Sequence, residues 1–243
     1  ALTTVSFPLV TSIGTNAFMG CRSLTTVSFP SATIIDYGAF AQCSALTTVS
    51  FPLVTSIGTN AFAYCSTLTT VSFPSATIID NGAFAYCSAL TTASFPLVRS
   101  IGTSAFMGCR SLTTVSFPLV TSIETSAFMG CYSLTTASFP LVTSIGISAF
   151  AYCSTLTTVS FPSATSIGSY AFAYCYMLIS FYLTGVSYIP TLANASAFHS
   201  TPISVYSTIA GQYGSIYVPA SLYDSFLTAT NWSLYSSRIV SVT

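Results

Sequence analysis

Eight cysteines are the side chains in this 243-residue chain whose type and spacing most invite chemistry, and they recur in phase from Cys21 and Cys43 through to Cys175. Thiols at a fixed period could pair as disulfides or hold zinc. If the chain stacks in phase, successive cysteines point the same way, about one strand spacing or more apart. A disulfide needs Cβ atoms about 3.5–4.5 Å apart on converging vectors, which a parallel ladder meets poorly. Zinc needs four converging ligands, and His199 is the only histidine. The cysteines therefore read as buried free thiols acting as small hydrophobes, with no metal and no cofactor implied.

His199, Asp224 and one of many serines have the residue types of a catalytic triad. Nothing around them resembles a nucleophile elbow such as GxSxG, and a capping-region histidine is the simpler reading. Asp36, Asp80 and Glu124 stand where other units carry Gly14, Gly58, Gly102, Gly146 and Gly168. Two units apart, they are separated by roughly 10 Å, whereas a shared calcium ion would need its oxygens at about 2.3–2.6 Å. Asp and Gly both suit tight turns, which accounts for the exchange. No set of residues converges on catalysis, and the chain reads as a non-enzyme.

The hydroxyls remain. Thr26-x-Ser28 recurs as Thr48-x-Ser50, Thr70-x-Ser72, Thr92-x-Ser94, Thr114-x-Ser116 and Thr136-x-Ser138. Stacked, these pairs make two hydroxyl ladders on the expected concave face. Thr favours strands and cross-strand hydroxyl pairs are mildly stabilising, so a structural account competes with a functional one. The functional account is a periodic ligand-facing surface for an extracellular protein or glycan, with ice a distant third because a curved sheet fits flat ice badly. Asn194-Ala195-Ser196 and Asn231-Trp232-Ser233 also match the glycosylation sequon.

The elements that would position these side chains follow from a repeat. Leu2, Leu24, Leu46, Leu68, Leu90, Leu112, Leu134 and Leu156 are spaced by 22 residues, and Leu178 opens a degenerate ninth unit. Pro8 and Pro30 begin a proline series of the same period that runs to Pro162. One unit reads LTTVSFPLVTSIGTNAFMGCRS, and FPLVTSIG alternates with FPSATIID over the first four units. Within Leu24–Phe29, Val27 and Phe29 alternate with Thr26 and Ser28, as a half-buried strand requires, with Leu24 also inward. Pro30 lacks an N–H and ends the strand. Ala32, Ile35, Ala39, Phe40 and Cys43 are the apolar positions of the return path, and the last three suit a single helical or 3-10 turn. Such a unit buries too little to fold alone, so stacking must close the core between neighbours.

Composition excludes some classes. The chain is 52% hydrophobic with a mean hydropathy of +0.76, yet Ser, Thr or Gly interrupts every apolar run, so no segment reaches the roughly 20 apolar residues of a spanning helix. Four Arg and four acidic residues, with no Lys, give no basic stripe and no nucleic-acid partner. Solubility resting on hydroxyls is more common outside the cell. The start at Ala1, without an initiator methionine, a signal-like segment or an N-terminal cap, suggests a processed or partial chain.

The pattern L-x-x-V-x-F-P, V-x-x-I-G, A-F-x-x-C resembles the BspA-like leucine-rich repeats of bacterial surface proteins. The resemblance covers residues 1–178 as eight 22-residue units, with 179–243 as the degenerate ninth repeat and C-terminal cap. The asparagine usual after LxxLxL is missing, with Ala32 or Val54 in its place, and BspA-like repeats commonly lack it. In the tail, Leu183 to Phe198 spans 15 residues where Phe161 to Phe172 spans 11. Ser215–Pro219 reads as a strand, and Ser221-Leu222-Tyr223-Asp224 has capping-box spacing for a short helix through about Ala229. Asn231-Trp232 and a strand at Ile239-Val240 follow, similar to the closure often seen after such repeats. The resemblance implies an α/β leucine-rich-repeat solenoid, a parallel sheet of stacked coils with short helical or 3-10 turns. It further implies a secreted or cell-surface adhesion protein, or else a structural spacer without a specific ligand.

Overall fold

The computed structural model describes residues 1–204 and 213–243. Each coil has three sides, and each coil is hydrogen-bonded to its neighbours along at least two of them. On the first side lie three-residue strands, from Thr4–Ser6 and Thr26–Ser28 to Thr158–Ser160 and Ser180–Tyr182. Pairing is parallel and in register, with Thr48 opposite Thr70 and Thr70 opposite Thr92. Leu24, Leu46 and Phe51 are fully buried and Phe29 nearly so, while Val27, Ala93 and Ala137 are only half-buried. The strands do not make one continuous sheet. They divide into runs of two, three and six, with breaks after Thr26–Ser28 and after Thr92–Ser94.

The second side is an unbroken parallel sheet of nine two-residue strands, from Ser12–Ile13 to Thr191–Leu192. Ile13, Ile35, Ile57 and their successors point inward, while the preceding residue faces out or lies half-buried. On the third side the A-F-x-x-C segment does not satisfy its own backbone as a helix would. In the first eight coils it is a run of hydrogen-bonded turns, and only the ninth closes as a 3-10 helix, Ala195–Phe198. Alternate amides reach forward to the next coil: Phe40 N donates to Ala61 O and Gln42 N to Ala63 O, both at 2.8 Å. This geometry requires left-handed residues at both ends of the turn, such as Asn60 (φ 56°) and Tyr64 (φ 62°). A side chain in that region costs about 1–2 kcal/mol, a strain held by the ladders on either side.

The core is one elongated interior. Two ranks of phenylalanine run through it, Phe29 to Phe161 from the strands and Phe40 to Phe198 from the turns. Within the turn rank, rings stack almost parallel, with Phe62 and Phe84 5.3 Å apart at 3°. Between ranks they meet edge-on, as Phe95 and Phe106 do at 5.8 Å and 62°. Both arrangements are ones that the ring quadrupole favours.

The ninth coil carries the insertion that the tail spacing indicates. Ser166 pairs with Thr191, 25 residues on, where Ser144 pairs with Ser166, 22 on. Three of the extra residues therefore precede the Thr191–Leu192 strand. Strands Ser215–Pro219 and Ile239–Val242 then extend the first side, with α1, Tyr223–Thr228, between them in sequence. The capping-box expectation at Ser221 needs correction. The chain leaves Pro219 directly into a 3-10 turn, Ala220–Leu222, so Ser221 lies inside that turn, and α1 starts at Tyr223 with Leu222 at its N-cap and no side-chain cap. Trp232, Tyr235 and Phe226 are buried over the last coil. Among the described residues, no helix is long and apolar enough to cross a membrane.

Candidate interaction face

The twelve residues Thr26, Ser28, Thr48, Ser50, Thr70, Ser72, Thr92, Ser94, Thr114, Ser116, Thr136 and Ser138 stand on the outward positions of the first side. Eleven are exposed and Ser72 is half-buried. Thr114 lies opposite Thr136, and Ser116 opposite Ser138, so the side chains stand in rows along the solenoid. A depression of about 520 Å³ opens over coils two to four, lined by Thr26, Ser28, Thr48, Ser50, Thr70 and Ser72.

Hydrogen bonding separates these hydroxyls from their neighbours. In four of the six coils the threonine one residue earlier spends its hydroxyl along the stack: Thr25 donates to Thr3 O at 3.0 Å, Thr69 to Thr47 O at 3.0 Å, Thr91 to Thr69 O at 3.1 Å and Thr135 to Thr113 O at 3.1 Å. Thr47 and Thr113, at the two breaks in the sheet, donate none among the described residues. A second rank before the nine-stranded sheet does the same, as Thr33 to Thr11 O at 3.1 Å and Thr143 to Thr121 O at 3.1 Å. None of the twelve ladder hydroxyls has a protein partner among the described residues. The spent ranks hold coils together; the free rows face solvent with donors and acceptors open.

The other candidates sort differently. Each cysteine from Cys43 to Cys175 points its thiol at the phenylalanine carbonyl of the previous coil, as Cys65 Sγ does to Phe40 O at 3.1 Å and Cys87 Sγ to Phe62 O at 3.1 Å. All eight cysteines are free thiols, and only Cys21, in the first coil, is not fully buried. Burial pushes the Cys43 and Cys87 thiols up to about 12, and Cys65, Cys109 and Cys153 well above their usual value for the same reason. These are unreactive groups. A thiol reagent at pH 8 should label Cys21 in the native protein and the other seven only on unfolding.

The same shift carries a pH dependence. A thiol whose folded pKa is raised keeps its proton in the native state after the unfolded chain has lost it, so stability is whole below about pH 8.5. It falls as pH rises from there towards about 12, the folded value of Cys43 and Cys87. Thermal melts between pH 7 and 11 should show Tm falling on the alkaline side, and Cys87→Ala should flatten that fall. An unchanged slope would show that the buried thiols do not govern it.

His199 is exposed and packs edge-on against Tyr174, with ring centroids 5.3 Å apart. Asp80 accepts from Asn81 N at 2.8 Å, and Glu124 accepts from Ser122 Oγ at 3.1 Å, both local turn bonds. Among the described residues, no three His, Cys, Asp or Glu side chains gather where a metal could sit. Both sequon asparagines have their amide nitrogens engaged: Asn194 donates to Ser169 Oγ and Asn231 to Leu192 O, each at 2.7 Å.

Sequence reasoning missed one feature. On the turn side of coils one to five lies a trough of about 440 Å³. Its signal is in the sequence, where A-F-M-G-C in coils one, five and six is exchanged for A-F-A-Q-C in coil two and A-F-A-Y-C in coils three, four, seven and eight.

Comparison with known proteins agrees with the architecture. A family model described as the BspA type leucine rich repeat region matches residues 1–97 and 77–203, in six copies. No curated protein matches the chain. Among solved structures it is similar to the leucine rich repeat protein of T. pallidum, at 30% identity and a TM-score of 0.59 over 64% of this chain and 78% of that one. It is similar also to a leucine rich cell surface protein of Faecalibacterium prausnitzii, at 26% identity and a TM-score of 0.45 over 100% and 79% of the two chains. The pneumococcal vaccine antigen PcpA matches at 16% identity and a TM-score of 0.46, over 99% of this chain and 79% of that one. Solenoids of this kind are generally non-catalytic scaffolds that bind proteins. With the stacked coils, the signature positions and a family match running to residue 203, the chain belongs to the BspA-type leucine-rich repeat family.

Proposed function

We infer that this chain is a non-catalytic interaction module that works outside the cell, at the surface, by adhering to a host or matrix protein through the hydroxyl ladder of its first side. The observation carrying this reading is the division of labour among hydroxyls. Threonines that stabilise the stack have their hydroxyls bonded along it, while the twelve ladder residues leave theirs unspent, and the first six of them, Thr26 to Ser72, line a depression. Low charge suits the role, since free hydroxyls offer polar contacts with little desolvation penalty.

The experiment is a binding screen of the purified chain against matrix proteins and mucins, followed by Thr70→Arg and Thr114→Arg in the ladder. Exposed strand substitutions of this kind should leave stability within about 0.5 kcal/mol, while affinity for the protein partner should fall about tenfold or more. An array that binds nothing at high micromolar concentration, or whose binding ignores both substitutions, would remove the proposal.

A further inference from the structure

The trough on the turn side has its floor in coils two to four, where the repeat carries Ala-Gln or Ala-Tyr in place of the Met-Gly of coils one and five. Its floor is Ala41, Ala63 and Ala85, and Met19 and Met107 close its two ends. Along one wall stand Gln42, Tyr64 and Tyr86; along the other, Asn16, Tyr37 and Asn60. Four coil steps separate the two methionines, about 19 Å at one strand spacing per coil. The methionine coil carries Gly108 where the alanine coils carry tyrosine or glutamine, and this makes room: a Cβ on Gly108 would fall 2.7 Å from Tyr86 Cδ1. Tyr86 thus leans over the end of the trough while stacking on Tyr64, with ring centroids 4.8 Å apart at 12°. Gly38 and Gly82 make room in the same way for Asn16 and Asn60, whose Oδ1 atoms occupy the space a Cβ would need.

Three properties define what could bind there. No charged side chain lines the trough. The backbone is closed to a ligand, because the amides of Phe40, Gln42, Phe62 and Tyr64 are donated to the next coil. A peptide could therefore not pair with it as an added strand. What remains free are side chains, and the carboxamides of Asn16, Gln42 and Asn60 have no partner among the described residues. Uncharged amides around an apolar floor, flanked by tyrosines, suit a ligand with many neutral hydroxyls on one face and C–H groups on the other. A pyranose ring is such a ligand, and its length is close to the coil spacing.

We propose that the trough across coils one to five is a binding site for a short neutral oligosaccharide, with the alanine floor and tyrosines contacting the sugar's C–H face and Asn16, Gln42 and Asn60 bonding its hydroxyls. The site rests on the reading of the chain as a binding module, but it lies on a different side of the coil from the hydroxyl ladder. A trough of about 440 Å³ is within the usual range of small-ligand sites.

The left-handed backbone offers a clean test. Gln42 and Asn60 sit at φ 62° and 56°, where glycine is preferred, so Gln42→Gly and Asn60→Gly remove the amides while relieving strain. The full chain would be presented to neutral and acidic glycans and to a peptide library, and tetrasaccharides of glucose, N-acetylglucosamine, galactose and mannose titrated by calorimetry. The expected result is binding of a neutral glycan, an affinity about tenfold or more lower in the double glycine variant, and a Tm no lower than that of the parent. Thr70→Arg on the ladder should leave glycan affinity unchanged. Absence of neutral glycan binding, preference for acidic glycans or peptides, or full affinity in the double variant would each overturn the trough. Loss of glycan binding through Thr70→Arg would move the glycan to the ladder. Loss of a protein partner through Thr70→Arg would leave the ladder reading standing whatever the trough does.

Discussion

Phe106→Ala should destabilise the protein by about 3–5 kcal/mol, the usual cost of emptying a buried aromatic site. Phe106 is fully buried, stacked between Phe84 at 5.4 Å and Phe128 at 5.3 Å, and edge-on to Phe95 at 5.8 Å. The cost should lie at the upper end of that range because the cavity cannot collapse. Phe106 N donates to Ala127 O at 2.8 Å, and its carbonyl accepts from the thiol of Cys131 at 3.3 Å. Ladders on the second side and the turn side therefore fix the coil spacing, Ile101 lying in register with Ile79 and Ile123. Urea denaturation reads the loss, and Thr114→Ala, on the exposed face, should change the unfolding free energy by less than about 0.5 kcal/mol. Hydrogen exchange should locate the damage in the coils around Phe106. A loss under about 1 kcal/mol would mean that the coils can close on the void, and the ladders would not be the rigid frame described here.

Legibility in the sequence followed how strongly each element's side chains report their direction. Leu24, Val27 and Phe29 alternate with exposed hydroxyls, so the strand and its inward face were readable, and stacking followed from the 22-residue period. The second sheet was not readable, because a two-residue strand such as Ser56–Ile57 is too short to alternate. Nor was the left-handed backbone at Tyr64 and Tyr152, since tyrosine is not a turn residue and its φ is imposed by the ladder to the next coil. The twelve ladder positions were legible as outward-facing. That their hydroxyls are free, while those of Thr25 and Thr69 are spent, depends on which carbonyl lies within reach, and one chain's sequence does not state that. The trough had a signal, the exchange of Met-Gly for Ala-Tyr, but its meaning needs neighbouring coils side by side. At Ser221, local spacing suggested a cap, and the immediate turn at Pro219 overrode it.

The second large effect belongs to the end of the stack. Trp232→Ala should cost about 3–5 kcal/mol, and its distribution along the chain matters as much as its size. Trp232 is buried against Phe226, with ring centroids 5.2 Å apart at 79°, and its indole Nε1 donates to Pro190 O at 2.7 Å. Beneath it, Phe198 ends the turn rank of rings and meets Tyr235 edge-on at 5.4 Å. Truncation strips the cover from that ring and leaves the buried carbonyl of Pro190 without its donor. Trp232→Phe separates the two contributions: it restores much of the ring but not the N–H, and should lose only about 1–3 kcal/mol. In a solenoid each coil touches only its neighbours, so opening should start at the uncovered end and fade along the stack. Hydrogen exchange in Trp232→Ala should speed up in coils nine and eight while coils one to four keep their protection. Equal loss of protection from the ninth coil to the first would show that the whole array melts as one unit, and that coupling along the phenylalanine ranks outruns the nearest-neighbour contacts.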